Sequence, residues 1–318
     1  MNRSLPPPPA TADGSDPRVS IVLLTHDAGP DLERVLEGIE AQEAAPSFEV
    51  IAIDTESTDA TLDRLARHAV QVARITKREF SHPGTRNLGV RLARGEFVVL
   101  LVQDAIPLHG RWLANLVRPL EEDPRVAAVY SRQVPREGAN PIECRDIARG
   151  APVVRRVTRI DDSEPRHLED YRRHVLEFIM YSDVSSCARR NLLLKYPFDE
   201  SLPMVEDQEW CKRILEAGWT VVYEPTSIVA HSHDHDLRQL YRRHFDYGRS
   251  FARFLDLSNS LASALVGAAY ESVGDWIDLL GHPMPLAERL CWVPRIPVRR
   301  LAMKIGFYRG LRAGRPRT

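Results

Sequence analysis

Asp104, the pair Glu206–Asp207, the run His231–Asp236 (HSHDHD) and the tract Pro83–Asn87 (PGTRN) hold the groups of this chain best suited to chemistry. Asp104 follows an apolar stretch and precedes Pro107. A carboxylate there suits a hard divalent cation, Mg2+ or Mn2+, which takes protein oxygens together with phosphate oxygens; it also suits the cap of a helix starting near His109. His231 and His233 add imidazole nitrogens, ligands for Mn2+ and softer ions. In extended chain His231, His233 and His235 fall on one side, which fits a zinc site or a solvated loop as well. Glu206 and Asp207 open an amphipathic helix, where the dipole favours acids in any case. If one of them faces a crevice, it can take a proton from an acceptor hydroxyl. Arg86 and Asn87 open another helix after a glycine; N–H groups and a guanidinium there can meet a phosphate, or form a solvated cap.

These groups need a frame. Arg18–Leu24 (RVSIVLL) reads as a buried parallel strand. Leu32, Val35, Leu36 and Ile39 then give one apolar helix face. Phe48–Ile53 is a second strand ending at Asp54, and Ser57, Thr58 and Asp59 can cap the helix after it. Val70–Ile75 is a third strand, Thr85–Arg94 a helix, and Phe97–Val102 a fourth strand running into Gln103 and Asp104. This alternation predicts an α/β fold with a mostly parallel central sheet between helices. Ligands of such sheets bind at the carboxyl ends of the strands, where Thr25, Asp54 and Asp104 all fall. Further on, 135–171 reads as irregular and charged, Val205–Ala217 as a helix closed by Gly218, and Trp219–Tyr223 and Ile228–Ala230 as short strands. A basic, aromatic-rich helix starts near Leu237. The expected layout is a disordered Pro-rich tail over 1–16, the α/β domain over 17–245, and a C-terminal helical extension over 246–318.

The 318 residues carry a formal net charge of −1, which argues against a nucleic-acid partner. The four cysteines include no C-x-x-C pair and read as reduced thiols. No run reaches about 18 uninterrupted apolar residues, so no spanning helix is expected. Arg289–Thr318 carries Lys304 and eight arginines with no acid, interleaved with apolar residues. That pattern suits the surface of an anionic membrane, or a packed helix with solvated arginines. The expected location is the cytoplasm, with peripheral contact on the inner face of the membrane through 289–318.

The order of these motifs resembles a known family. VSIVLLTHDAG (Val19–Gly29), IAIDTESTDAT (Ile51–Thr61), EFSHPGTRNLG (Glu79–Gly89), GEFVVLLVQDAIP (Gly95–Pro107), FDESLPMVEDQEW (Phe198–Trp210) and VAHSHDHDLRQLYRRHFDYG (Val229–Gly248) together are similar to the family 2 glycosyltransferases of the GT-A fold. Within them they look most like the rhamnosyltransferase branch. The resemblance implies an inverting, metal-dependent transferase that moves a sugar, rhamnose from dTDP-rhamnose being favoured over UDP-sugars, onto a glycan or lipid-linked acceptor. It implies a divalent cation at Asp104 and His231, with His233 nearby. It puts donor contacts at Thr25, Asp54, Ser57, Arg86, Asn87 and Gln103, and the base at Asp207 beside Glu206. The chain departs from the family pattern where Val102 replaces the first acid of D-x-D, where His26 and Asp27 follow Thr25, where Pro83 stands in a Gly-rich position, and where Glu56 replaces a common glycine. Two rival readings remain: a degenerate domain that binds nucleotide or a partner without catalysis, and a metal-dependent nucleotidyltransferase or hydrolase.

Overall fold

Residues 16–161 and 163–315 are described by the computed structural model. The tail expected over 1–16 lies, Asp16 apart, outside the described residues, as do the last three residues of the expected extension. In chain order the elements are β1 (Val19–Thr25), α1 (Asp31–Glu40), β2 (Phe48–Thr55), α2 (Thr61–Leu65), β3 (Val70–Ile75), α3 (His82–Leu92), β4 (Phe97–Val102), β5 (Ile106–Pro107), α4 (Trp112–Glu122), β6 (Val126–Val134), α5 (Pro141–Gly150), β7 (Arg156–Thr158), α6 (Pro165–Arg173), α7 (Val175–Phe178), β8 (Ser185–Arg189), α8 (Arg190–Lys195), α9 (Glu206–Glu216), β9 (Thr220–Ala230), α10 (Leu237–Phe254), α11 (Leu261–Gly281) and α12 (Leu286–Gly314).

Two units are formed. Among the described residues the first comprises 16–134, 151–201 and 206–231; the second comprises 135–150, 202–205 and 232–315. The second unit therefore takes in more than the expected 246–318. Its α5 belongs there because Ile142 is buried with Leu279, Trp292 and Ile296.

The sheet of the first unit runs β3-β2-β1-β4-β8-β6-β9-β5, with β7 paired to β9. β1, β2, β3, β4, β6 and β9 share one direction, and β8, β5 and β7 oppose it. The apolar runs of β1 and β4 are buried along nearly their whole length, as strands covered on both faces must be. α1 buries Leu32, Val35, Leu36 and Ile39, the face its spacing predicts. The stretch over 135–171 is more regular than its pattern suggests, since it contains α5, β7 and part of α6. The two short strands expected over 219–230 are one strand, β9, whose register against β6 shifts between Ser131 and Arg132.

α3 begins earlier than apolar periodicity suggests. Ser81 caps it by accepting from the Gly84 N–H at 3.1 Å, and Pro83 fills the first turn, where its missing N–H costs nothing. At the far end of the sheet Gly95 lets the chain touch β1. A Cβ there would lie 2.7 Å from Ser20 N and 2.8 Å from Val19 C, both backbone atoms. Gly95→Ala is expected to cost about 1–3 kcal/mol by overpacking. Urea unfolding measures this, and an unchanged midpoint would contradict the close approach.

In the second unit α10 and α12 pack with their backbones nearly touching. A Cβ at Gly248, Gly306, Gly310 or Gly314 would strike main-chain atoms of the facing helix. Arg300 of α12 is not solvated, as expected for the basic segment, but buried. It binds Asp275 (2.6 Å), Asp146 (2.7 Å) and Glu271 (3.1 Å), which hold its guanidinium firmly charged.

Candidate active site

The strand order reverses between β1 and β4: the chain steps outward through β2 and β3, then returns to the other side of β1. Open α/β sheets bind ligands at such a point, beyond the carboxyl ends of the strands. Thr25 and Asp54 are register partners there. The Asp54 carboxylate is fully buried and accepts from Thr25 Oγ1 (3.3 Å), from the Ser57 N–H (3.2 Å) and from the Ser57 hydroxyl. Ser57, expected to touch a ligand, thus fixes Asp54. The β1 and β2 loops are locked together as well. Asp27 Oδ1 accepts from the Thr58 N–H at 2.7 Å, and Asp59 Oδ2 accepts from the Gly29 N–H at 3.1 Å. Glu56 lies at φ 48°, the left-handed region, which explains why glycine suits that position. Across the reversal, the His26 N–H donates to Gln103 Oε1 (2.8 Å), and Gln103 Nε2 donates back to His26 O (3.2 Å).

One turn beyond β4 the chain reaches Asp104 and then β5, which pairs antiparallel with the end of β9 through Ile106–Ala230 and Pro107–Val229. That pairing carries Asp104 to His231, the residue after β9, with Oδ1 3.8 Å from Nε2. His231 Nδ1 lies 3.1 Å from Gln133 Oε1. An amide oxygen only accepts, so this contact places the proton on Nδ1 and directs the Nε2 lone pair toward Asp104. A carboxylate oxygen and an imidazole nitrogen at this separation fit a shared divalent ion, whose bonds to such ligands are about 2.0–2.2 Å. His233 lies in the second unit, where its backbone N–H donates to Glu143 Oε1 at 3.4 Å and its ring stacks on His235 at 5.0 Å.

A buried charge cluster adjoins this edge. Arg86 of α3, 8% exposed, donates to Glu206 Oε1 and has Nε 3.6 Å from Asp183 Oδ2. Asp207 accepts from the Asp183 N–H at 3.2 Å and from the Gln208 N–H at 2.8 Å. Asp183 has no counterpart among the residues singled out from sequence. Its only signal was a lone acid leading into the run Val184–Cys187. The register puts it at the end of β4, since the Val102 N–H donates to Val184 O at 3.1 Å. Gln133 Nε2 donates to Ser182 Oγ at 3.1 Å. One chain of contacts therefore runs Asp104–His231–Gln133–Ser182, and the backbone carries it on to Asp183 and Asp207. Asn87, expected against a donor, instead brackets a loop. It donates to Phe198 O and Glu200 Oε1 and accepts from the Phe198 N–H, each at 3.0 Å.

The family model "Glycosyl transferase family 2" matches residues 20–187, more than half of the chain. The chain belongs to glycosyl transferase family 2. This glycosyltransferase is 27% identical over 296 residues to O-antigen chain rhamnosyltransferase RfbN of Salmonella typhimurium, covering 92% of this chain and 89% of that one. It is also 27% identical over 299 residues to O-antigen chain rhamnosyltransferase WbaN of Salmonella anatum, with the same coverage. Among solved structures it is similar in fold to mannosyltransferase PcManGT from Pyrobaculum calidifontis in complex with GDP-Man and Mn2+. The TM-score there is 0.59 at 20% identity, covering 98% of this chain and 90% of that one.

In this glycosyltransferase the cluster sets three carboxylates, the buried Asp183 and Glu206 and the half-buried Asp207, against the single guanidinium of Arg86. Burial is the largest cause raising all three acids. Asp207 is pushed up to about 6, with the like charge of Glu206 adding to burial. Asp183 is pushed up to about 7, with Arg86 pulling the other way. Raised carboxyls mean that the folded state holds more protons than the unfolded chain between about pH 4 and pH 7, so stability falls as pH rises through that window. Arg86→Ala strips the cluster of its counter-charge and is expected to cost about 3–5 kcal/mol near neutrality. The loss should shrink toward pH 4, as the acids take up protons. Denaturant unfolding across pH checks this; a loss independent of pH would contradict the charge argument.

Proposed function

We propose that the protein is an inverting, metal-dependent glycosyltransferase that moves a sugar from a nucleoside diphosphate to a hydroxyl of a glycan or lipid-linked acceptor. The single observation carrying this reading is the convergence of Asp104–His231 and Asp183–Asp207 on one strand edge through Gln133 and Ser182. Rhamnose from dTDP-rhamnose is the favoured donor, supported by the two rhamnosyltransferases among the relatives.

In this reading Thr25, Asp54 and Gln103 meet the nucleoside at the strand reversal. Asp54 arrives with its carboxylate already oriented by Thr25 and Ser57. Asp104 and His231 would hold Mg2+ or Mn2+. A cation bound there would supply positive charge to the diphosphate of the departing nucleotide. Asp207 takes the acceptor hydroxyl proton while the acceptor oxygen bonds to the anomeric carbon. The bond from that carbon to the diphosphate oxygen breaks on the opposite face, which inverts the centre. Arg86 and Glu206 act as positioning residues, because each satisfies the other within the cluster.

A base must be ionised to accept a proton, and a raised Asp207 is ionised only above about pH 6. The acid limb of the turnover profile is therefore expected near pH 6 instead of the ordinary carboxylate value of about 4. Asp207→Asn should lower turnover by about 10²–10⁴-fold while leaving donor affinity in place; unchanged turnover removes Asp207 from the role. Asp104→Ala should abolish the Mn2+-dependent part of nucleoside diphosphate binding, read by calorimetry with and without the ion. Equal affinity in both states would count against the cation at Asp104.

A further inference from the structure

α11 is amphipathic in the inverted sense. Its buried face carries Ala264, Ala268, Ser272 and Asp275, small or polar apart from Leu279. Its exposed face carries the large apolar residues: Tyr270 is 74% exposed, Leu280 73%, Val266 69% and Ile277 63%, with Leu265, Val273 and Trp276 beside them. α12 continues the apolar surface at Leu286, Leu290 and Val293. A helix turned apolar side outward has a partner that wets that side. No described helix is long and apolar enough to cross a membrane, so the partner touches the face from outside.

Charge selects the partner. The three acids of α11 are already matched within the unit: Glu271 by Lys304 and Arg300, Asp275 by Arg145 and Arg300, and Asp278 by Arg145. The following helix and its end expose Arg295, Arg309, Arg312 and Arg315, and no acid occurs from Arg289 onward. Two copies facing each other here would oppose two basic segments, with Glu288 the only acid of α12 to meet them. An anionic bilayer offers acyl chains to the apolar face and headgroup phosphates to the arginines. Tyr270 and Trp276 suit the boundary between the two.

We propose that the exposed face of α11, with α12 and its exposed arginines, is a monotopic docking surface for an anionic lipid bilayer. The inference stands apart from the transfer reaction and goes beyond the basic segment at 289–318, because it assigns the apolar contact to α11.

The test is co-sedimentation of the full-length protein with phosphatidylcholine vesicles, with and without phosphatidylglycerol. Binding is expected to the phosphatidylglycerol vesicles and to weaken with salt. The double variant Val266→Glu, Ile277→Glu should bind about tenfold more weakly or worse, since its apolar payload is lost. Both positions are already exposed, so circular dichroism should be unchanged. Arg295→Ala with Arg312→Ala should weaken binding by roughly tenfold and flatten the salt dependence. Equal binding to both vesicle types overturns the electrostatic part. No binding to either overturns the proposal. So does a wild-type dimer in light scattering that the double glutamate variant splits, which would make the face a protein interface. None of these readouts uses sugar transfer, so failure here is distinguishable from failure of the transferase reading.

Discussion

One buried guanidinium holds three elements of the first unit to a common edge. Arg86 comes from the first turns of α3, Asp183 leads into β8, and Glu206 and Asp207 open α9. Charges taken from water need partners in place, or they neutralise or unfold the site. Arg86 therefore constrains where β8 and α9 begin. The constraint is asymmetric. Three acids facing one cation keep protons that an exposed carboxylate would release, so the cluster that orders the site also tunes it. Arg86 pulls against the burial and like charge that raise these acids, and so limits how far they rise.

The rest of the site follows from strand pairing. Because β8 runs antiparallel to β4, its start lies at the end of β4, and Asp183 reaches the edge that already holds Gln103 and Asp104. Because β5 folds back on β9, His231 arrives beside Asp104 although more than a hundred residues separate them. The polar side chains between, Gln133 and Ser182, come from β6 and the approach to β8. They are not reactive themselves, but they fix which nitrogen of His231 faces the carboxylate. Pre-organisation of this kind is how a single acid, where the family pattern carries two, can still present a defined pair of ligand atoms.

The second unit solves a different problem. Glycines at 248, 306, 310 and 314 bring α10 and α12 together at backbone distance, and Arg300 is neutralised among Asp146, Glu271 and Asp275. With polar and small residues used inward, the large apolar side chains of α11 are left outside. Burying them inward would have required displacing this ion network, and an unpaired buried arginine costs more than the apolar contacts would return.

The parallel half of the fold was legible in the sequence. Short β-branched runs ending in Thr25, Asp54 and Asp104 determine β1, β2 and β4 and the edge those residues share, because a strand buried on both faces leaves a continuous apolar signature that stops where the polar residues begin. The family signature determined the class of reaction for the same reason: it is local and ordered along the chain. What the sequence did not disclose was non-local. Asp183 had no motif around it. Asn87 looked like an outward group but turned inward to Phe198, and α11 lay unremarked within the expected helical extension, although its small and polar face is the buried one. Each of these outcomes depends on which distant residue supplies a hydrogen bond or a counter-charge. Local periodicity records how a segment coils, while tertiary pairing decides which side of it meets water.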